Sequence, residues 1–257
     1  SERKDTVVEI HPSTAGNSDD LRAADETKVD FVDGKLTIRT PRPRGLRGPR
    51  GSVRVEVALP EGSSLNGTLE LARLRADGPL GRCDVRVSAG DIQLDEALAV
   101  RLKTDHGNIT LDRTTGNAVI TTGSGEVRVG EIAGNADIKN SNGSTWIDDI
   151  TGDLHLKVSN GNVTVARAQA SVTSRTSNGS VRLGTVERGT HDLRTTAGNL
   201  HIGVLPGTPA WLDIDSQAGT AHSDLGTDRP ASLDDRTVRI HARTTLGDIT
   251  VEHAKTA

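Results

Sequence analysis

The stretch "SNGNVTVARAQASVTSRTSNGSV", residues 159–181, decides between two folds. It contains the triplet Ser-Asn-Gly twice, ending at Gly161 and at Gly179, and each triplet stands between runs in which apolar and polar residues alternate. Asn-Gly between such runs is the strongest short-range signal for a β-hairpin, so an antiparallel meander is one interpretation. In the other interpretation, each Asn-Gly is a corner of a coil that keeps winding in one direction.

The same pattern recurs over much of the chain, which favours the coil. Strand-sized segments begin at almost evenly spaced glycines, namely Gly90, Gly107, Gly125, Gly143, Gly161, Gly179 and Gly198. A second series, at Gly116, Gly134 and Gly152, lies half a period away. Self-similarity at a fixed short period is typical of repeat architectures, in which residue i stacks on residue i+18. The predicted fold class is therefore all-β, a parallel β-solenoid of about 18-residue coils.

The two ends of the chain lack this period and predict antiparallel β caps, because the terminal coils of a solenoid would otherwise be open sheet edges. We assign residues 1–60 to an N-terminal β cap, 61–204 to the solenoid and 205–257 to a C-terminal β cap, all in one continuous structural unit. Trp211 is expected in the core of the second cap. Residues 40–52 hold four arginines among prolines and glycines and are interpreted as a solvated connector.

Composition excludes several classes of protein. The 257 residues carry a net charge of −4, so no global field draws the chain to nucleic acid, and sequence-specific nucleic-acid binding is not expected. The single cysteine, Cys83, cannot form an internal disulfide. No apolar run approaches the roughly 18 residues of a membrane span, and no leader or anchor is evident, so a cytoplasmic location is expected. A cell-surface or secreted location is the alternative if the N-terminus is truncated.

Stacking with this period aligns a row of mostly basic side chains, each four positions before the glycine of a corner: Lys103, Thr121, Lys139, Lys157, Arg175 and Arg194. Neighbouring strands lie about 4.8 Å apart, so like charges in such a row repel one another. One interpretation is a linear groove for a repeating polyanion. The other is that carboxylates of the adjacent outward row, Asp137 and Asp192, neutralise it.

A second outward row holds Trp146 between Arg128 and Thr164, followed by Arg182. An exposed indole there would stack on a sugar or on a partner, unless a capping segment covers it, and Arg128 and Arg182 of the same row are further candidate binding residues. Alternatively, Arg128 lies across the ring as a cation–π pair.

The sequence contains no motif for catalysis, a cofactor or a metal, so no catalytic residue, cofactor or metal ligand is assigned. The expected function is a non-catalytic scaffold or binding module for an unknown polymer or protein partner. A self-assembling structural protein and a carbohydrate-active β-helix enzyme are the alternatives. The enzyme predicts clustered carboxylates on one exposed sheet, and the predicted rows hold few.

Three stretches carry a resemblance to a known family: "DTVVEI" from Asp5, "ITTGSGEVRVGEIAGNADIKNSNGSTWIDDITGDLHLKVSNGNVTV" from Ile120, and "ARTTLGDITV" from Ala242. Together they resemble a bacterial, largely actinobacterial, family of adhesin-like proteins of unknown function with β-strand repeats. The resemblance covers most of the chain. It implies a solenoid fold and supplies no catalytic or binding residues.

Overall fold

The computed structural model describes residues 5–41, 51–226 and 237–255. The chain divides into two compact units, Ser1–Glu61 and Gly62–Ala257. Most of the arginine-rich connector, residues 42–50, lies outside the described residues.

The first unit combines antiparallel strands with one helix. Its elements are β1 (Val7–Pro12), α1 (Ser18–Glu26), β2 (Lys28–Val32), β3 (Lys35–Arg39) and β4 (Val53–Ala58). β1 pairs antiparallel with β4, and β2 with β3, as the sequence predicts for this region. The helix is not predicted. It begins at Asn17, whose side chain accepts hydrogen bonds from the backbone N–H groups of Asp19 and Asp20, a common N-cap arrangement.

The second unit is the predicted parallel β-solenoid. Its strands are β5 (Leu65–Leu71), β6 (Leu74–Ala89), β7 (Ile92–His106), β8 (Ile109–Thr114), β9 (Ala118–Ser124), β10 (Val127–Ile132), β11 (Ala136–Asn142), β12 (Thr145–Ile150), β13 (Leu154–Asn160), β14 (Val163–Ala168), β15 (Val172–Asn178), β16 (Val181–Val186), β17 (Gly189–Ala197), β18 (Leu200–Val204), β19 (Ala210–Ala218), β20 (Ala221–Ser223), β21 (Val238–Leu246) and β22 (Ile249–His253).

The stacking register confirms the solenoid over the meander. Val163 pairs with Val181 in parallel strands, one period further along the chain, and Leu156 pairs with Ser174 in the same way. The strands form two series. Series A runs through β5, the second halves of β6 and β7, β9, β11, β13, β15 and β17; series B runs through the first halves of β6 and β7, β8, β10, β12, β14, β16 and β18. Inward Val, Ile, Leu and Ala side chains from both series form one hydrophobic core.

The corner glycines are required by the stacking geometry. Gly161 has φ +146°, which L side chains rarely adopt, and a Cβ there would lie 2.1 Å from the carbonyl oxygen of Gly143 in the preceding coil. Beside this corner, Asn160 donates its side-chain amide to the Oδ1 of Asn142 at 2.9 Å, and Asn178 donates to Asn160 at the same distance. The predicted Asn ladder is therefore confirmed.

An inward polar row ties several corners to the coil before them. The side chains of Thr104, Thr122, Thr195 and Thr244 each donate to the carbonyl of a corner glycine in the preceding coil, at 3.0–3.3 Å. Asn140 occupies the same row and donates both to Gly125 below it and to Gly143 of its own coil. Such bonds satisfy carbonyls that would otherwise be buried without a partner.

The C-terminal region differs from the antiparallel cap expected over residues 205–257. Its strands pair parallel and extend both series, but out of chain order: β21 lies between β17 and β19, and β22 between β18 and β20. Strands β19 and β20 therefore form the terminal coil, although they come earlier in the chain. Strands β21 and β22 form the coil that lies between it and β17 and β18. Trp211 on β19 is also not part of a core, since its side chain is 44% exposed.

Candidate binding faces of the solenoid

The predicted basic row is aligned on the outward face of series A. Lys139, Lys157 and Arg175 are register partners on successive strands, and so are Arg175 and Arg194. The structure adds Arg86 before Lys103 and Arg243 after Arg194. Each of these two arginines precedes a corner glycine, Gly90 or Gly247, by four positions, so the spacing rule identifies both. We call this set the basic column: Arg86, Lys103, Thr121, Lys139, Lys157, Arg175, Arg194 and Arg243.

Several members of the basic column are neutralised by carboxylates on the same face. Lys139 lies 3.4 Å from Asp137, and Arg194 lies 3.0 Å from Asp192, as the neutralising interpretation predicts. Lys103 also pairs with Asp105 at 3.6 Å. These are exposed pairs of the kind that contribute little to stability, but they cancel the local charge.

Lys157 and Arg175 are different, because they are neighbours in register and neither forms an ion pair with any residue that the structure describes. Arg86 also lacks an ion pair among these residues, but its neighbour Lys103 is paired with Asp105. Lys157 and Arg175 lie on adjacent strands, both exposed. The side chains flanking them on the same face are His155 and Thr173 on one side, and Ser159 and Ser177 on the other. We call these two cations and four flanking residues the cationic window.

On the opposite face, the guanidinium of Arg128 covers Trp146, with its carbon 4.6 Å from the ring centroid. Arg128 also donates to Glu126 at 3.0 Å, which fixes its position. Thr164 lies between Trp146 and Arg182 in the row, as the spacing predicts. The cation–π interpretation is therefore confirmed, and Trp146 is a half-buried ring already occupied by an intramolecular partner.

An open groove of about 310 Å³ lies at the C-terminal end of the series A face, lined by Thr190, Asp192, Arg194, Asp213, His241 and Arg243. Asp192, His241 and Asp213 are register partners on β17, β21 and β19. Hydrogen bonds from Arg243 (2.7 Å) and His241 (3.3 Å) hold the pKa of the Asp213 carboxyl below its usual range. Sequence reasoning missed this groove because it exists only when β21 inserts between β17 and β19.

The described part of the chain also lacks features of two other classes of protein. No cluster of three or more His, Cys, Asp or Glu side chains there is placed to hold a metal ion. No helix in these residues has the length and apolar character needed to cross a membrane.

A parallel β-solenoid with a basic column along one face is thus the class of protein that the structure defines. The family model described as Toastrack DUF4097 matches residues 2–254, and the chain belongs to this family. Comparison with curated proteins returns no match, and neither does comparison with solved structures. The match establishes a family of unknown function with β-strand repeats, while the adhesin-like character and actinobacterial origin stay predictions.

Proposed function

We propose that this chain is a rigid, non-catalytic scaffold that binds a repetitive anionic polymer along the series A face, with the cationic window as its centre. The observation that carries the proposal is the pair Lys157 and Arg175, two adjacent exposed cations without an ion-pair partner among the described residues. Adjacent strands lie about 4.8 Å apart, and two unit charges at such a distance repel by about 1 kcal/mol even in bulk water. A bound anion would remove this repulsion.

The surroundings of the two cations suit phosphate, sulfate or carboxylate groups. Ser159 and Ser177 flank the cations with hydroxyls that can donate to anionic oxygens, and charge-assisted hydrogen bonds of this kind are among the strong ones. The backbone beneath them is fixed by parallel pairing on both sides of β13 and β15. A rigid array loses little conformational entropy on binding.

The basic column extends the window into a line. The members on either side of the window, Lys139 and Arg194, are next in register to Lys157 and Arg175, but each is paired with an aspartate. A long polymer can compete for these cations after it is anchored at the window, because linked contacts act at high effective concentration. Affinity should therefore rise with chain length.

The test is binding of inorganic polyphosphate, heparin, a polyglycerol-phosphate teichoic-acid mimic and DNA to the parent chain and to a Lys157→Ser, Arg175→Ser variant. A matched control carries Arg113→Ser and Arg167→Ser on series B, which changes the net charge equally on the opposite face. We expect at least one polymer to bind the parent and the control, and to bind the window variant about tenfold or more weakly. Equal binding by all three proteins, or binding of no polymer at low salt, would refute the proposal.

A further inference from the structure

We infer that the groove at the C-terminal end of series A is a second binding site, distinct from the cationic window, and that it takes an uncharged carbohydrate. The groove is formed by outward side chains of three neighbouring strands, β17, β21 and β19. Trp211 stands beside it on β19, with its ring 5.1 Å from that of His241, centroid to centroid.

Charge pairing in the groove disfavours small ions as ligands. Arg194 is bonded to Asp192 at 3.0 Å, and Arg243 to Asp213 at 2.7 Å, so two positive and two negative charges cancel. An anion would have to displace the aspartates, and a cation would have to displace the arginines. This arrangement is the opposite of the cationic window, where the charges are unmatched.

The hydrogen-bonding capacity that remains suits hydroxyl groups. A guanidinium has five N–H donors and a carboxylate has about four acceptor positions, so each Arg–Asp pair keeps donors and acceptors for a ligand. Thr190 adds a hydroxyl, and His241, whose Nδ1 faces Asp213, keeps its Nε2 available. Sugar hydroxyls both donate and accept, which matches donors and acceptors that alternate within one small groove.

The aromatic ring supplies the apolar contact that a sugar also needs. Trp211 is 44% exposed, whereas Trp146 is half-buried under Arg128. Trp is enriched at binding interfaces because its ring is apolar and its N–H can donate a hydrogen bond. An indole offers a flat apolar face and an N–H donor, which suits the mixed surface of a pyranose ring.

The experiment is calorimetric titration of the full chain with three neutral oligosaccharides: chitohexaose, cellohexaose and maltohexaose. The variants are Trp211→Ala, which removes the ring, Trp211→Phe, which keeps a ring, and Lys157→Ser, Arg175→Ser as the control at the other site. Circular dichroism checks that each variant folds.

We expect at least one oligosaccharide to bind the parent, with affinity reduced about tenfold or more by Trp211→Ala and largely retained by Trp211→Phe. Binding should be insensitive to salt and unchanged in the window variant, so that it succeeds or fails independently of polyanion binding. The inference is overturned if no oligosaccharide binds at millimolar concentration, if Trp211→Ala binds like the parent, or if binding follows Lys157 and Arg175.

Discussion

Asn140 allows a sharp test of how the coils are held together. In the inward polar row, four threonines each donate to the corner carbonyl of the coil before them, whereas the hydroxyl of Thr176 has no partner among the described residues. Val158 holds this position in the coil after Asn140 and has no donor, so the carbonyl of Gly143 depends on Asn140, which donates to it at 2.8 Å. Asn140 thus compensates for the valine.

Replacing Asn140 with Thr should keep the bond to Gly125, which threonines make elsewhere in the row, and should lose the bond to Gly143. A buried carbonyl left without a partner costs about 1–3 kcal/mol of folding free energy, and the Gly143 carbonyl, which is partly buried, should cost about 1–2 kcal/mol. Adding Val158→Thr places a hydroxyl where the row requires one and should restore the bond. The Oδ1 atom of Asn140 is itself buried without a partner, but its removal is common to the single and double variants and cancels in the cycle.

The assay is a double-mutant cycle on the full chain, measured by urea unfolding with far-UV circular dichroism. We expect Asn140→Thr and Val158→Thr to couple favourably by about 1–2 kcal/mol. Effects that add within about 0.5 kcal/mol would show that the two positions are independent and would refute the reasoning.

Three further predictions concern single residues. Gly161→Ala should destabilise the chain by at least about 2 kcal/mol in urea unfolding, because its Cβ would meet the Gly143 carbonyl. Gly207, at φ +80°, has open space around it, so Gly207→Ala should cost only about 1 kcal/mol. Equal effects of the two substitutions would contradict this prediction. Burial lowers the pKa of His191 from 6.5 to about 4, so the unfolded chain binds this proton more tightly than the folded chain. The free energy of unfolding should therefore fall by about 3 kcal/mol as the pH drops from 6.5 to 4. His191→Val should abolish that part of the pH dependence, and an unchanged pH profile of stability would refute the prediction. Burial raises the pKa of the Cys83 thiol, so its reaction with a disulfide reagent should be slow in the native chain and fast in denaturant, and rapid native modification would contradict the placement.

The period of the sequence predicts most of the solenoid because the stacking contacts are local. A residue and its partner one period further on occupy equivalent environments, so inward rows, the Asn ladder and the basic column all follow from the spacing. The helix α1 cannot be predicted from the period, because it lies outside the repeat and depends on a local N-cap at Asn17.

The C-terminal strand order could not be predicted in the same way. β19 and β21 have similar alternation of apolar and polar residues, and either pattern fits beside β17. The choice depends on how well whole coils pack, for example Ile240 and Ala242, which are fully buried in the inserted strand. The groove and the exposure of Trp211 both depend on which strand lies beside β17, so the sequence could not predict them either.

The cationic window could be predicted from the sequence in part. Its two cations are visible in the sequence, and so are the neighbours two positions before them: aspartates in the coils of Lys139 and Arg194, but His155 and Thr173 in the coils of Lys157 and Arg175. Comparing the rows pair by pair identifies the unmatched cations, whereas considering the basic row as a whole does not. Whether a given aspartate reaches its cation still required the structure.

The most direct test of the proposed function is the salt dependence of polyphosphate binding by the parent and by the Lys157→Ser, Arg175→Ser variant. The logarithm of the binding constant falls linearly with the logarithm of salt concentration, with a slope of about 0.7–0.9 per phosphate neutralised. We predict that the slope of the variant is smaller than that of the parent by about 1.4–1.8, as the loss of two cations requires. Parallel slopes with equal affinities would contradict the account.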